Sequence, residues 1–148
     1  GEVPEGEYLT PLGKAEVRRP GKDVTVITYS LMVQKAEEAA RNLSQEGIEV
    51  EIIDLLTIKP FDLETLVTSI QKTHRCVIAH EGVLTGGAGA EIAARLQEAV
   101  FYYLDAPILR IGTKDVPIPF SLVLLDSIAP KSQDIEQAIK KLLHREGF

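Results

Sequence analysis

Cysteine is nearly absent. Cys76 is the only one among 148 residues, which excludes an internal disulfide and every multi-cysteine metal site. It lies within the apolar run CVIA, where a buried, reduced thiol is the simplest expectation. Long apolar runs are missing too: none approaches the roughly 20 residues that a membrane helix requires. No signal-peptide pattern opens the chain, and GEVPEGEYL lacks even an initiator methionine, which reads as a processed or excised piece of a longer polypeptide. A basic excess is lacking as well. The formal net charge is −6, whereas nucleic-acid binders present a basic face. An acidic surface suits a basic protein partner instead. The three histidines have no metal-ligand spacing such as H-x-x-x-H, so no metal site is expected, and G-x-S-x-G is absent, which removes the hydrolase reading.

What remains is an ordinary globular composition, 45% hydrophobic and 26% charged, long enough for one core. Residues 1–21 mix proline, glycine and glutamate and read as an extended linker, within which KAEVRR (Lys14 to Arg19) alternates as a short edge strand. Residues 22–148 form the domain proper. VTVITY (Val24 to Tyr29) is a β-branched strand. Ser30 is placed to cap a helix whose Val33, Ala36, Ala40 and Leu43 share one face, and Gly47 stops it. IEVEIID (Ile48 to Asp54) is the next strand. Pro60 then bars helix at Lys59, and Asp62 caps LETLVTSIQKT. RCVIAH (Arg75 to His80) is a third strand, followed by a glycine turn and a helix to about Leu104. PILRIG (Pro107 to Gly112) is a fourth. A prolyl stretch leads to a last helix with an Ile135, Ala138, Ile139, Leu142 stripe. Strands alternating with helices, the strands nearly continuous in apolar residues, predict an α/β sandwich of three layers with a mostly parallel sheet.

The stretch richest in chemical potential is HEGVLTGGAGAE, His80 to Glu91. A dinucleotide fingerprint would need a third glycine where Ile92 stands, and a P-loop would need Gly-Lys-Ser/Thr where Gly87 is followed by Ala88. Anion binding at the helix start stays open. So does an acid/base pair of His80 and Glu81, although neighbours on a strand point to opposite faces. The reading we favour is a close-packing turn, its small residues letting the helix approach the sheet or a partner subunit.

Three blocks in order carry a resemblance: VITYSLMVQKAEEAARNLSQEGIEVEIIDLLTIKPFD, HEGVLTGGAGAEIAARL and LDAPILRIGTKDVPIPF. Together they closely resemble the C-terminal domain of the E1 β subunit of 2-oxo acid dehydrogenase complexes and, more widely, transketolase-type C-terminal domains. The resemblance covers nearly the whole chain. It implies an α/β/α fold with a five-stranded mixed sheet whose first strand is antiparallel. It further implies a full enzyme in which thiamine diphosphate, held with Mg, supports decarboxylation of a 2-oxo acid and acyl transfer to lipoyl-E2. The family's diphosphate motif and its activating glutamate belong to parts of the enzyme outside this sequence, so this fragment is expected to bind no cofactor and to be inactive alone.

Its implied role is assembly with the E1 α subunit, a second E1 β subunit and the E2 subunit-binding domain. Residues matching the family pattern are Glu81, Gly87, Gly89 and Glu91 of the turn, with Gly86 beside them, and Asp54, Pro60 and Asp62 of the second block; all are taken as structural or interface residues. Charge and position suggest Asp126, Asp134 and the terminal carboxylate of Phe148 for E2 docking. The DAPILRI and DVPIPF pieces look most like pyruvate-specific relatives, while HEGVLTGG leans toward branched-chain ones; pyruvate is favoured. The compartment would be the cytoplasm in a bacterium, otherwise the mitochondrial matrix or plastid stroma. The alternatives are a transketolase or deoxyxylulose phosphate synthase C-terminal domain, and a free-standing anion-binding module.

Overall fold

A computed structural model describes residues 5, 6 and 9–144. Phe148 lies outside them. Among the described residues there are five strands: β1 (Glu16–Arg19), β2 (Val24–Thr28), β3 (Val50–Asp54), β4 (Cys76–Val83) and β5 (Leu109–Thr113). The helices are α1 (Leu31–Ser44), α2 (Leu63–Thr73), α3 (Ala88–Val100), α4 (Leu122–Ile128) and α5 (Ser132–His144), with a 3-10 turn at Phe101–Tyr103. The sheet order is β1-β3-β2-β4-β5. Only β1 is antiparallel, pairing Val17 with Ile53, while β2 runs parallel to both β3 and β4, and β4 to β5. This is the mixed, mostly parallel α/β/α architecture that the alternating elements predict.

The period-2 alternation of the strands divides the core into two. Val24, Val26, Val50, Ile52 and Val77 meet Met32, Ala36, Ala40 and Leu43 of α1 and Ile135, Ile139 and Leu142 of α5. Ile27, Ile53, Cys76 and Ile78 face the other way, against Leu66 and Ile70 of α2 and Ile92 and Leu96 of α3. The two faces therefore carry α1 with α5, and α2 with α3.

Helix ends follow local chemistry. Gly47, at φ 81°, closes α1: its N–H reaches Ser44 O at 3.1 Å, and the Ile48 N–H reaches Leu43 O at 3.1 Å. That is the left-handed stop that glycine supplies without a Cβ clash. Asp62 caps α2, accepting from the Thr65 N–H at 3.2 Å. Ser30 differs from expectation: it precedes α1 at φ 59° but its side chain caps nothing. The strand of the linker begins at Glu16 rather than Lys14, and β4 continues past His80 to Val83. The prolyl stretch after β5 contains α4, which local pattern does not reveal because its four consecutive apolar residues show no stripe.

Buried polar groups are tied together beneath α2. Glu51, buried in mid-strand, accepts from Ser69 Oγ at 2.5 Å and from the Gly21 N–H at 3.2 Å, and pairs with Lys72. The Thr25 hydroxyl lies 2.6 Å from that of Ser69 and 2.7 Å from that of Thr73. A single glutamate among Val50, Ile52 and Ile53 was the sequence signal for this network.

Candidate functional site

The glycine turn is built around His80. On β4, Cys76 and Ile78 face α2 and α3; His80 is fully buried while Glu81 is exposed. The two do not form an acid/base pair on one surface. A Cβ added at Gly89 would stand 2.4 Å from His80 Nε2 and 2.5 Å from Cδ2. One added at Gly87 would meet Val83 O at 2.1 Å and His80 Cε1 at 2.8 Å. The space these glycines leave is thus filled by the imidazole and by the turn's own backbone. This is close approach of helix to sheet with a specific cause: the start of α3 rests on a buried histidine. The positive φ of the turn lies at Gly86, at 72°, where an added Cβ meets nothing within 4 Å; Gly87 is extended at φ −71°.

Neither nitrogen of His80 has a hydrogen-bond partner among the described residues. Burial, and secondarily the Arg110 charge, hold its pKa below the usual imidazole value. A neutral ring is the consequence. Tyr29, at the end of β2, lies nearly parallel to it with ring centroids 6.2 Å apart. Burial and then the negative charge of Glu81 raise the tyrosine's pKa.

Side chains on and beyond β5 brace the turn. The Thr113 hydroxyl donates to Glu81 O at 2.6 Å and Arg110 Nη1 to Leu84 O at 2.9 Å. Thr85 donates its hydroxyl to Asp115 Oδ2 at 2.5 Å. Tyr29, Arg110, Thr113 and Asp115 were not singled out from sequence; they reach the turn only because β2 and β5 flank β4.

The second block ends β3 and enters α2. Asp54 Oδ1 accepts from the Leu56 N–H at 3.1 Å, and Leu56 itself has φ 55°. Asp62 is buried and braces the N-terminal segment as well as capping α2: it accepts from the Ala15 N–H at 3.2 Å and from the Thr65 hydroxyl at 2.8 Å, with Lys14 at 3.7 Å. Burial pushes its carboxyl upward, but the Thr65 and Ala15 hydrogen bonds and the Lys14 charge outweigh that and hold it below the ordinary carboxylate range.

Pro60 and Glu91 come together from the two blocks at a cleft of about 280 Å³, where Arg95 covers the Phe61 ring at 4.6 Å. Asp54 and Asp62 are not among the residues that line it. Asp126 and Asp134 converge on Lys131. Asp126 pairs with its ammonium at 2.8 Å, and Asp134 accepts its backbone N–H at 2.7 Å. The Lys131 hydrogen bond and charge lower the Asp126 pKa.

The space at Gly87 and Gly89 is filled by the chain itself, and no group of three metal-ligating side chains occurs among the described residues. No chemical step through thiamine diphosphate is assigned to these residues. No helix is long and apolar enough to cross a membrane among the described residues.

The chain is 47% identical over 139 residues to the mitochondrial pyruvate dehydrogenase E1 component subunit beta of Dictyostelium discoideum, covering 94% of the chain and 39% of that protein. It is 41% identical over 143 residues to the corresponding subunit of Porphyra purpurea, covering 97% and 43%. The chain thus spans about two fifths of these relatives. Among solved structures, a split-gene transketolase in an inactive β4 tetramer superposes with a TM-score of 0.79 at 32% identity, over 97% of this chain and 46% of that one. The model of the transketolase C-terminal domain matches residues 13–135, and on that match, with the five-stranded fold it accompanies, the chain belongs to the transketolase C-terminal domain family.

Proposed function

We propose that this chain is the C-terminal assembly domain of a pyruvate dehydrogenase E1 β subunit. The observation that carries the reading is the 47% identity spread over 94% of the chain with such a subunit. In the complete enzyme, thiamine diphosphate and Mg would be held by the E1 α subunit and the remaining half of β, and would supply the electron sink for decarboxylation. This domain would contribute contacts to the α subunit, to a second β subunit and to the basic subunit-binding domain of E2. The β4 state of the split-gene transketolase supports self-association of such subunits.

Glu81 and Glu91, both exposed, and Pro60 beside the Arg95–Phe61 stack are the surface points at which interface contacts would fall. Gly86, Gly87, Gly89, Asp54 and Asp62 would hold the loops that present them. Asp126, Asp134 and the terminal carboxylate of Phe148 are the residues proposed for E2 docking, although the Lys131 ammonium pairs with Asp126 and offsets its charge. The working compartment would follow the source: bacterial cytoplasm, mitochondrial matrix or plastid stroma.

The test is reconstitution. The full-length subunit combined with its α partner, thiamine diphosphate and Mg should release carbon dioxide from pyruvate faster than from branched-chain 2-oxo acids, and the 148-residue chain alone should release none. Turnover by the isolated chain, or a preference for branched-chain substrates, would refute the reading.

A further inference from the structure

Beside β5, the last strand of the sheet, a cleft of about 440 Å³ opens between the glycine turn and the start of α5. Arg110, Lys114 and Lys131 line it together with apolar Leu84, Ile128 and Pro130, and Asp134 is the one carboxylate on its wall. Three cations to one acid runs against the chain's net charge of −6. Arg110 and Lys114 stand two residues either side of Gly112, so the alternation of an extended chain directs them to one face. Leu84 crosses β5 where Gly112 leaves room: a Cβ there would stand 2.6 Å from Gly82 O and 3.1 Å from Leu84 Cδ2. The Leu84 carbonyl accepts from Arg110 Nη1 at 2.9 Å and orients the guanidinium, whose fork keeps further N–H donors. Among the described residues neither Arg110 nor Lys114 forms an ion pair, whereas Lys14, Lys22, Lys72, Lys131 and Lys140 each hold a carboxylate.

From this cleft we infer that the chain binds a small organic phosphate, its phosphoryl group between Arg110 and Lys114 and its apolar body on Leu84, Ile128 and Pro130. The inference goes beyond the assembly role proposed above and does not depend on it. Charge sets the class of ligand. Three cations against one carboxylate leave two positive charges, which a phosphate dianion neutralises, and a guanidinium fork matches phosphate oxygens. The start of α5 does not carry the site: Asp134 already accepts the Lys131 backbone N–H at 2.7 Å, and Asp126 holds the Lys131 ammonium at 2.8 Å. The two unpaired side chains carry it. Size sets the rest. The volume lies within the range of small-molecule sites, about 300–1,000 Å³, and a long polyanion would need a basic stripe that this acidic chain lacks.

The experiment is isothermal titration calorimetry of the 148-residue chain at low salt and about pH 8, where a phosphoryl group is a dianion. Phenyl phosphate is the probe, beside inorganic phosphate, benzoate and phenol. Phenyl phosphate should bind with a Kd on the order of 0.1–1 mM, about tenfold or more tighter than the other three, and added salt should weaken it. Lys114→Glu and Arg110→Gln should each weaken binding about tenfold or more, with circular dichroism unchanged. Lys114 has no ion pair to lose, so its variant tests the site without disturbing the turn that Arg110 braces. Arg41→Gln, on α1 outside the cleft, is the control and should bind like the wild type. Amide shifts in nuclear magnetic resonance should concentrate at Leu84, Gly112, Lys114 and Lys131.

Absence of binding up to about 10 mM phenyl phosphate overturns the inference, as does unchanged affinity in both cleft variants or loss of binding in Arg41→Gln. Benzoate or phenol binding as tightly would show that no phosphoryl site exists. Inorganic phosphate binding as tightly would remove the apolar body from the claim and overturn it as stated. None of these outcomes bears on the reconstitution test of the pyruvate dehydrogenase reading.

Discussion

Gly89→Ala puts a single methyl group where the structure has a histidine ring. The new Cβ would stand 2.4 Å from His80 Nε2 and 2.5 Å from Cδ2, with Ile78 Cγ2 a further contact at 3.4 Å. Separations below 3.0 Å do not persist, so the ring or the first turn of α3 must move. The imidazole is fully buried, and a Cβ at Gly87 would also crowd its Cε1, at 2.8 Å, so little space is left around the ring. Overpacking of this kind costs about 1–3 kcal/mol. Replacing glycine by alanine in a helix returns up to about 1 kcal/mol, less near the N-terminus.

The net loss should therefore be about 1–2 kcal/mol, or roughly 2–8 °C in Tm for a chain of this size. Urea denaturation of the wild type, Gly89→Ala, His80→Ala and the double variant completes the test. With the ring removed, the methyl group has room, and Gly89→Ala should become neutral or slightly stabilising in the His80→Ala background. The expected coupling is about 1–3 kcal/mol. Equal effects of Gly89→Ala with and without the ring would refute the argument that His80 dictates the glycine.

Further outcomes follow from the buried groups. His80 is held neutral, with a folded pKa below its unfolded value of about 6.5; the unfolded chain then binds the extra proton, so stability should fall as pH drops from 6.5 toward the folded pKa and then level off, and His80→Leu should remove that step. Asp62 follows the same sign in a lower pH window: its depressed carboxyl contributes stability at neutral pH that is lost as pH falls below about 4 through its folded pKa, and Asp62→Ala should cost about 1–2 kcal/mol at neutral pH through loss of the cap. Lys72→Met should destabilise by about 2 kcal/mol or more in chemical denaturation, because Glu51 would keep its burial and lose its counter-charge. Cys76, buried and with its thiol pKa pushed well up, should resist a thiol reagent in the native chain and react at once in denaturant.

Much of the fold was legible in local pattern. The strand VTVITY, the Val33–Leu43 stripe, the stop at Gly47 and the Asp62 cap depend on side chains within one helical turn or one strand of each other, and backbone chemistry alone makes them recur. Alternation of strands and helices was enough to require a mostly parallel sheet with helices on both faces. The three quoted blocks, in their order, carried the family. The small residues around HEGVLTGGAGAE also announced close packing, but not against what.

The identity of that neighbour was decided by tertiary structure. The β2-β4-β5 order sets Tyr29 on one side of His80 and brings Arg110, Thr113 and Asp115 to the turn from the other. Those partners are separated from the turn by tens of residues, and no local periodicity encodes which strands adjoin. The same holds for Asp62, whose cap is visible in sequence while its grip on Ala15 is not. Exposure was also outside the reach of pattern: the apolar run LVLL resembles a core segment until the fold leaves it uncovered. Local propensity thus determined the elements, and the sheet order determined which side chains meet and which apolar surface stays uncovered.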